Sequence, residues 1–466
     1  MHLPSILTIS PSSLLLLLLP TLPFTTPTLT GSLDINDLLD PLTGALKPQA
    51  YLGAAQNPSL TSNTNSKQDD PNPWAPWTHE PLCTHSTSLT SLGQKYCLYT
   101  HNSSFLNGFS LLTTPKIAKH ASQFLSEHPI IQFFSEAKGD EWIRTPRPYR
   151  TMPVAGKDLG VVATRKIKAY ETFMVDQASV VMDLEMEKAV SRKEGMRLLK
   201  VGVERLRSPG LVRGLSKKHD GSVKVGGEGS EKKKTEEEEE EEEEVGQLEE
   251  DVLMTNAFGT TLGEGNFRAL FPIISRINHA CEPNSFVMFS QTGFSLGIKA
   301  YRDIEPGEEI TISYLLLGQP SDKRQEGLKR WGFKCTCSLC KAPKHILSAS
   351  DARRNLIIKR EVDFNKAWKD GRYQAAIRYG EELLDLLDKE KLYPLMTDEY
   401  VVLARLHLLN GEKEKAEEYK DLAVALLGRL GFLGGGDEWE EGKDAEGLEW
   451  TLEKLFEMYG EAGVYI

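Results

Sequence analysis

Three cysteines in six residues, Cys335-Thr336-Cys337-Ser338-Leu339-Cys340, restrict the folds open to this chain more than any other feature. Thiols this close together, in a polar loop flanked by lysines, make poor core material and good zinc ligands. A closed tetrahedral zinc site needs four ligands. The fold must therefore return a fourth residue to this loop. His345 nearby, Cys281 further back, or Cys83 and Cys97 are the candidates, and three free surface thiols are the plainer alternative. Six cysteines in 466 residues are too few for a disulfide scaffold. Cys83 and Cys97 are either one disulfide or two ordinary thiols.

Around that loop the chain divides by composition. Residues 1–24 include six consecutive leucines at 14–19 and are similar to the apolar region of a secretory signal. No Lys or Arg precedes them, and Pro4, Pro11, Pro20 and Pro23 interrupt them. The segment is too short and broken to span a bilayer, and a disordered leader is the plainer reading. Residues 25–73, rich in Thr, Pro, Ser, Asn and Gln, read as a flexible linker. A small cysteine-containing region follows over 74–144. Asn102-Ser103-Ser104 within it is a glycosylation sequon of a kind that chance often produces.

From Val154 the pattern turns to short β-type runs, at 159–164, 172–175, 285–290, 295–300 and 309–314. Residues 185–207 have helical spacing. Residues 208–251 are low-complexity and predict a disordered acidic insertion inside the domain, with an acidic lure for basic partners as the functional alternative. The 67 acidic and 55 basic residues give a formal charge of −12, which excludes nucleic-acid binding through an overall basic surface. Nine of the acids form the run 236–244, and without them the charge would be −3. The rest of the chain is close to neutral.

After residue 350 the sequence becomes helical to its end and repeats itself. Gly371, Ala376, Tyr379, Leu386 and Leu387 recur forty residues later as Gly411, Ala416, Tyr419, Leu426 and Leu427. This resembles paired helices of tetratricopeptide type with a lengthened period. Two copies are too few to stand alone, so the tail docks on the preceding domain, as packing scaffold rather than as a peptide groove.

Two further segments carry chemistry. Arg276-Ile277-Asn278-His279-Ala280-Cys281-Glu282-Pro283-Asn284 packs ligating and hydrogen-bonding side chains behind an apolar run. Gly307-Glu308-Glu309-Ile310-Thr311-Ile312-Ser313-Tyr314 is a turn entering a strand that ends on tyrosine. With the cysteine run, in this order and spacing, these segments resemble the SET-domain protein methyltransferases. The resemblance covers about residues 145–342, interrupted by the acidic insertion, and the tail is similar to that of the SET-and-MYND branch. No cysteine lies between Cys97 and Cys281, so the MYND finger of that branch is absent.

The resemblance implies an α+β fold: a β-rich SET domain over 145–318 with a knotted C-terminal segment, a post-SET zinc motif over 319–345, and an all-α tetratricopeptide-like tail over 350–466. It implies that Gly156, Lys157, Gly160, Arg276, Asn278 and His279 form the S-adenosylmethionine site. Tyr314 would be the catalytic tyrosine. Cys281 would join Cys335, Cys337 and Cys340 on a structural zinc. The implied partner is a protein presenting a lysine, a histone among the candidates. No direct nucleic-acid contact is expected.

Two positions depart from the family pattern. Asp158 stands where Gly is usual, and Ala280 where Ser is usual. The expected function is protein-lysine N-methylation. The alternative is a zinc-stabilised interaction scaffold without turnover. A four-cysteine zinc site implies the nucleus or cytoplasm, whereas the leader points to the secretory pathway.

Overall fold

The protein is known as a computed structural model that describes residues 73–103, 107–125, 128–134, 136–216, 236–263, 265–290, 294–433, 442–443 and 448–459. The leader and nearly all of the linker lie outside the described residues. Among the described residues there are thirteen strands and thirteen α-helices. The strands are β1 Leu82–His85, β2 Lys95–His101, β3 Phe109–Thr113, β4 Tyr149–Pro153, β5 Leu159–Ala163, β6 Thr172–Gln177 and β7 Val180–Asp183. After the insertion come β8 Phe258–Leu262, β9 Gly265–Leu270, β10 Asn278–His279, β11 Ser285–Phe289, β12 Ser295–Ala300 and β13 Glu309–Ile312. The first helices are α1 Pro115–Ala121, α2 Glu136–Arg144, α3 Leu184–Ala189, α4 Arg192–Glu204, α5 Pro209–Arg213 and α6 Glu236–Asn256. The others are α7 Ser321–Leu328, α8 Ser338–Lys341, α9 Lys344–Lys369, α10 Tyr373–Lys389, α11 Tyr393–Leu409, α12 Lys413–Leu430 and α13 Leu452–Tyr459.

The strands form three sheets, ordered β1-β2-β3-β7-β9-β8, β10-β13-β5-β4 and β11-β12-β6. One apolar core joins them, with Phe173, Phe267, Phe271, Leu296, Ile298 and Ile310 fully shielded from water. The 74–144 region is not a separate body: its β1, β2 and β3 share a sheet with β7, β8 and β9. Cys83 and Cys97 face each other across β1 and β2 and are joined as a disulfide.

Two expectations change. Helical spacing over 185–207 is split into α3 and α4, because Ser191 caps the Glu194 N–H and starts a new helix. The insertion predicted as disordered over 208–251 is folded at both ends, as α5 and α6, while 217–235 lie outside the described residues. Glutamate is a fair helix former, and the α6 sequence continues into Val252 and Leu253. These bury against Leu198, Leu199 and Val203 of α4. The Glu249 carboxylate, fully buried, accepts from Arg213 of α5 at 2.5 Å and ties the ends of the insertion together.

The tail pairs α9 with α10 and α11 with α12. At Gly371 and Gly411 the backbone takes φ of 70° and 81°, a left-handed turn that glycine allows cheaply. The next N–H reaches back five residues in each copy, Arg372 to the Ala367 carbonyl and Glu412 to the His407 carbonyl. Ala376 and Ala416 are both fully buried, which lets the paired helices approach. Docking on the preceding domain combines Leu317, packed against the tail's apolar core, with polar contacts: Ser321 donates twice to Asp351, Lys391 pairs with Glu282 at 2.6 Å, and the Gln319 carbonyl accepts from both Arg324 and Arg354. Among the described residues, no helix is long and apolar enough to cross a membrane.

Candidate active site and metal centre

The parallel pairing of β10 with β13 sets Asn278 beside Thr311 and His279 beside Ile312. Asn284 locks that pairing, accepting from the Thr311 N–H and donating to the Glu309 carbonyl, both at 2.8 Å. From below, the buried Asp176 of β6 accepts the N–H groups of Ile273 and Ile274 at 2.7 and 3.1 Å. Arg276, tied to the Gly214 carbonyl at 2.7 Å, anchors the same block to the insertion.

One end of this sheet forms a cradle. Gly156 sits in the β4–β5 turn with φ of 74°. Gly160 lies under Asn278, and a Cβ there would come within 2.7 Å of the Asn278 Nδ2 and of Val154, so only glycine fits. Asn278 Nδ2 donates to the Leu159 carbonyl and to Glu309 Oε1, each at 2.9 Å. Lys157 donates to Glu309 Oε2 at 2.6 Å. Asn278 Oδ1 has no donor among the described residues. The close backbone, the small residues and this spare acceptor fit the polar end of S-adenosylmethionine. Asp158 is exposed in the turn and Ala280 is buried.

His279 turns its ring away from the cradle. Its Nδ1 accepts from the Tyr314 N–H at 3.0 Å, so the proton resides on Nε2, which lies 3.3 Å from Cys281 Sγ. Burial lowers its pKa to about 4 and keeps the ring neutral. Tyr314 donates its hydroxyl to the Ile277 carbonyl at 2.7 Å, and burial pushes its pKa above the usual tyrosine range. Its ring lies between His279, Trp331 and Phe333, with centroids 5.4, 5.2 and 6.5 Å away.

The sulfurs of Cys281, Cys335, Cys337 and Cys340 all lie within 4.8 Å of one another. Cys281 is 3.7 Å from Cys335 and 3.5 Å from Cys340. A zinc–sulfur bond of about 2.3 Å gives a tetrahedron with edges of about 3.8 Å, so this donor set fits zinc. Hydrogen bonds from the other three sulfurs hold the Cys337 thiol well below its usual range. The surroundings offset the charge of four thiolates. Gln325 Nε2 lies 3.6 Å from Cys340 Sγ, the Cys337 N–H 3.5 Å from Cys335 Sγ, and the buried Arg324 interacts with Cys281 and Cys340. The open choice of fourth ligand thus falls on Cys281. His345 is exposed, and Cys83 and Cys97 are bonded to each other.

The eleven residues expected at the site fall into neighbouring groups: Gly156, Lys157, Gly160 and Asn278 at the cradle, His279 against Tyr314, and the four cysteines together, while Arg276 turns to Gly214. Sequence reasoning missed Glu309, Arg324, Gln325, Trp331 and Phe333. The only available signal was two aromatics just before the cysteine run.

The SET domain family matches residues 158–315, which take in Gly160, the Asn-His block and Tyr314. Over residues 158–315 the chain is thus similar to SET domains, and it is similar to lysine methyltransferases of the SMYD branch. It is 43% identical over 72 residues to histone-lysine N-methyltransferase SMYD3 of Homo sapiens, covering 15% of this chain and 16% of that protein. It is 39% identical over 87 residues to histone-lysine N-methyltransferase set5 of Schizosaccharomyces pombe, covering 18% and 27%. It is 29% identical over 151 residues to N-lysine methyltransferase SMYD2 of Homo sapiens, covering 30% and 34%. The matches span about a third or less of these relatives' own length.

Proposed function

We propose that the chain is an S-adenosylmethionine-dependent protein-lysine N-methyltransferase. The observation that carries this reading is the adjacency of the Asn278 cradle and the Tyr314 aromatic group, held by one sheet and backed by four cysteines. The cofactor supplies an electrophilic methyl group, and the chain supplies alignment. Gly156, Gly160 and Asn278 would hold its amino-acid end. Lys157, Arg276 and His279 use their polar atoms on Glu309, Gly214, and Tyr314 with Cys281, and act by positioning. Tyr314, Trp331 and Phe333 would line the path of the lysine side chain. An apolar path lowers the amine pKa and favours the neutral nucleophile. The raised pKa of Tyr314 keeps its hydroxyl protonated, able to orient the amine without taking its proton. Zinc on Cys281, Cys335, Cys337 and Cys340 would fix the loop carrying Trp331 and Phe333, a structural role.

The substrate would be a protein presenting a lysine, and four zinc-bound thiolates favour the nucleus or cytoplasm. Transfer of labelled methyl groups from S-adenosylmethionine to protein substrates, by reduced and zinc-loaded protein, tests the reading. Tyr314→Phe is expected to slow transfer by about 10²-fold, as for other preorganised donors, while zinc content stays unchanged. A Tyr314→Phe protein as fast as wild type would remove Tyr314 from this role. Folded, zinc-loaded protein that binds no cofactor would turn the reading to a non-catalytic interaction scaffold.

A further inference from the structure

We infer that Glu309 is a positioning residue for the methyl donor: by fixing both Asn278 and Lys157 it makes the cradle selective for a ligand bearing an α-ammonium group. This rests on the proposed cofactor site and specifies what that site recognises. Glu309 opens β13, between Asn278 on β10 and the β4–β5 turn that carries Lys157. Both carboxylate oxygens are used, Oε1 by Asn278 Nδ2 at 2.9 Å and Oε2 by Lys157 Nζ at 2.6 Å.

The effect on Asn278 follows from its donor count. A carboxamide has two N–H donors and one acceptor oxygen. Here the nitrogen meets two acceptors, Glu309 Oε1 and the Leu159 carbonyl. Flipping the amide would set oxygen against oxygen twice, at a cost of about 1–3 kcal/mol for each lost pairing. The amide is therefore fixed with Oδ1 as its spare atom, an acceptor without a donor among the described residues.

The effect on Lys157 is electrostatic. An unpaired ammonium in the cradle turn would repel a positively charged ligand. Paired with Glu309, it leaves no net positive charge there. A fixed acceptor beside a neutralised cation suits an ammonium donor and does nothing for a ligand that lacks one. Gly160 protects the arrangement, since a Cβ there would also come within 3.0 Å of Glu309 Oε1.

Two ligands separate this role from a general structural one. S-adenosylmethionine carries the α-ammonium and a charged sulfonium, whereas 5′-methylthioadenosine shares the nucleoside but has a neutral thioether and no amino-acid end. Calorimetry on the full chain, reduced and zinc-loaded, would compare both ligands against wild type, Glu309→Gln and Glu309→Asp. Glu309→Gln is expected to weaken S-adenosylmethionine by about 10–30-fold, as loss of a charge-assisted hydrogen bond implies. Methylthioadenosine should stay within about twofold, and zinc content should not change. Glu309→Asp should recover part of the loss. The inference is overturned if Glu309→Gln binds both ligands as wild type does, or loses both in equal measure. Wild-type protein that is folded and zinc-loaded yet binds neither ligand overturns the proposed function, and this inference with it.

Discussion

The chain holds two groups of cysteines, and they differ in what surrounds the sulfur. Cys83 and Cys97 sit opposite each other on neighbouring strands, in a core shared with Trp77, Tyr99 and Phe109. Apolar surroundings suit a disulfide, which carries no charge. The other four sulfurs meet an imidazole N–H, a side-chain amide, a backbone N–H and a guanidinium. Such surroundings suit thiolates on a cation and would be wasted on a disulfide. Whether a group of cysteines is built for a metal can be judged from its neighbours as much as from its spacing.

Breaking the cluster should have the largest effect. Cys335→Ser, or chelation, is expected to release the zinc and lower the melting temperature by roughly 10 °C, since several kcal/mol are lost at about 2–4 °C each. Native mass measurement and a thermal scan read both. Zinc-free protein with an unchanged melting point would show that the four sulfurs hold no metal.

The disulfide should matter less. Replacing Cys83 and Cys97 with Ser is expected to cost about 3 kcal/mol by closed-loop entropy, with zinc content intact. Alkylation of protein denatured after metal removal should label four thiols and spare two. If all six are labelled in protein taken from a reducing compartment, the bond is not kept there and the contrast between the two groups is one of surroundings alone.

A smaller effect is expected one step outside the metal. Gln325→Leu removes a donor to Cys340 without removing a ligand, and zinc affinity should fall about 10-fold in a chelator competition. Affinity equal to wild type would mean that the amide near the sulfur is incidental.

A pH-dependent effect belongs to Glu399, in α11 of the tail. Burial raises the Glu399 carboxyl to about 8, with Glu361 and Asp398 adding to the shift. The folded state therefore holds a proton that the unfolded state releases near the ordinary glutamate value. Stability present below that value is lost as pH rises through about 8. Glu399→Gln should flatten the decline between about pH 5 and 8 while both cysteine groups stay as they are. An unchanged pH profile in urea titrations would rule Glu399 out as its source.

What was legible in the sequence was what local spacing encodes. β5, β12 and the cysteine run follow their patterns nearly to the residue, and Gly371 and Gly411 mark helix ends by a backbone need that glycine meets. Cys281 was one of several candidate ligands until the family resemblance singled it out. Geometry then explains the choice, because β10 delivers it beside α8 across 54 residues of sequence. Glu309 was hidden for a different reason. It lies in an acidic pair at a turn, where a solvated charge is the ordinary reading, and only the strand order of its sheet brings it to Asn278 and Lys157. The helix α6 was hidden by composition, since the glutamate run masks the apolar pair at its far end that buries against α4.

The attachment of the insertion bears on how such a chain can evolve. The Arg276 side chain holds the Gly214 carbonyl at one end, while Ser275 and Trp331 donate to the Asn256 and Thr255 carbonyls at the other. Both ends are thus fixed to the segments that flank the Asn-His block and the cysteine run. By loop-closure entropy, doubling the length of chain between two fixed ends costs little, about 0.6 kcal/mol. Residues can be gained or lost there over generations while Asn278, Tyr314 and the four cysteines keep their places.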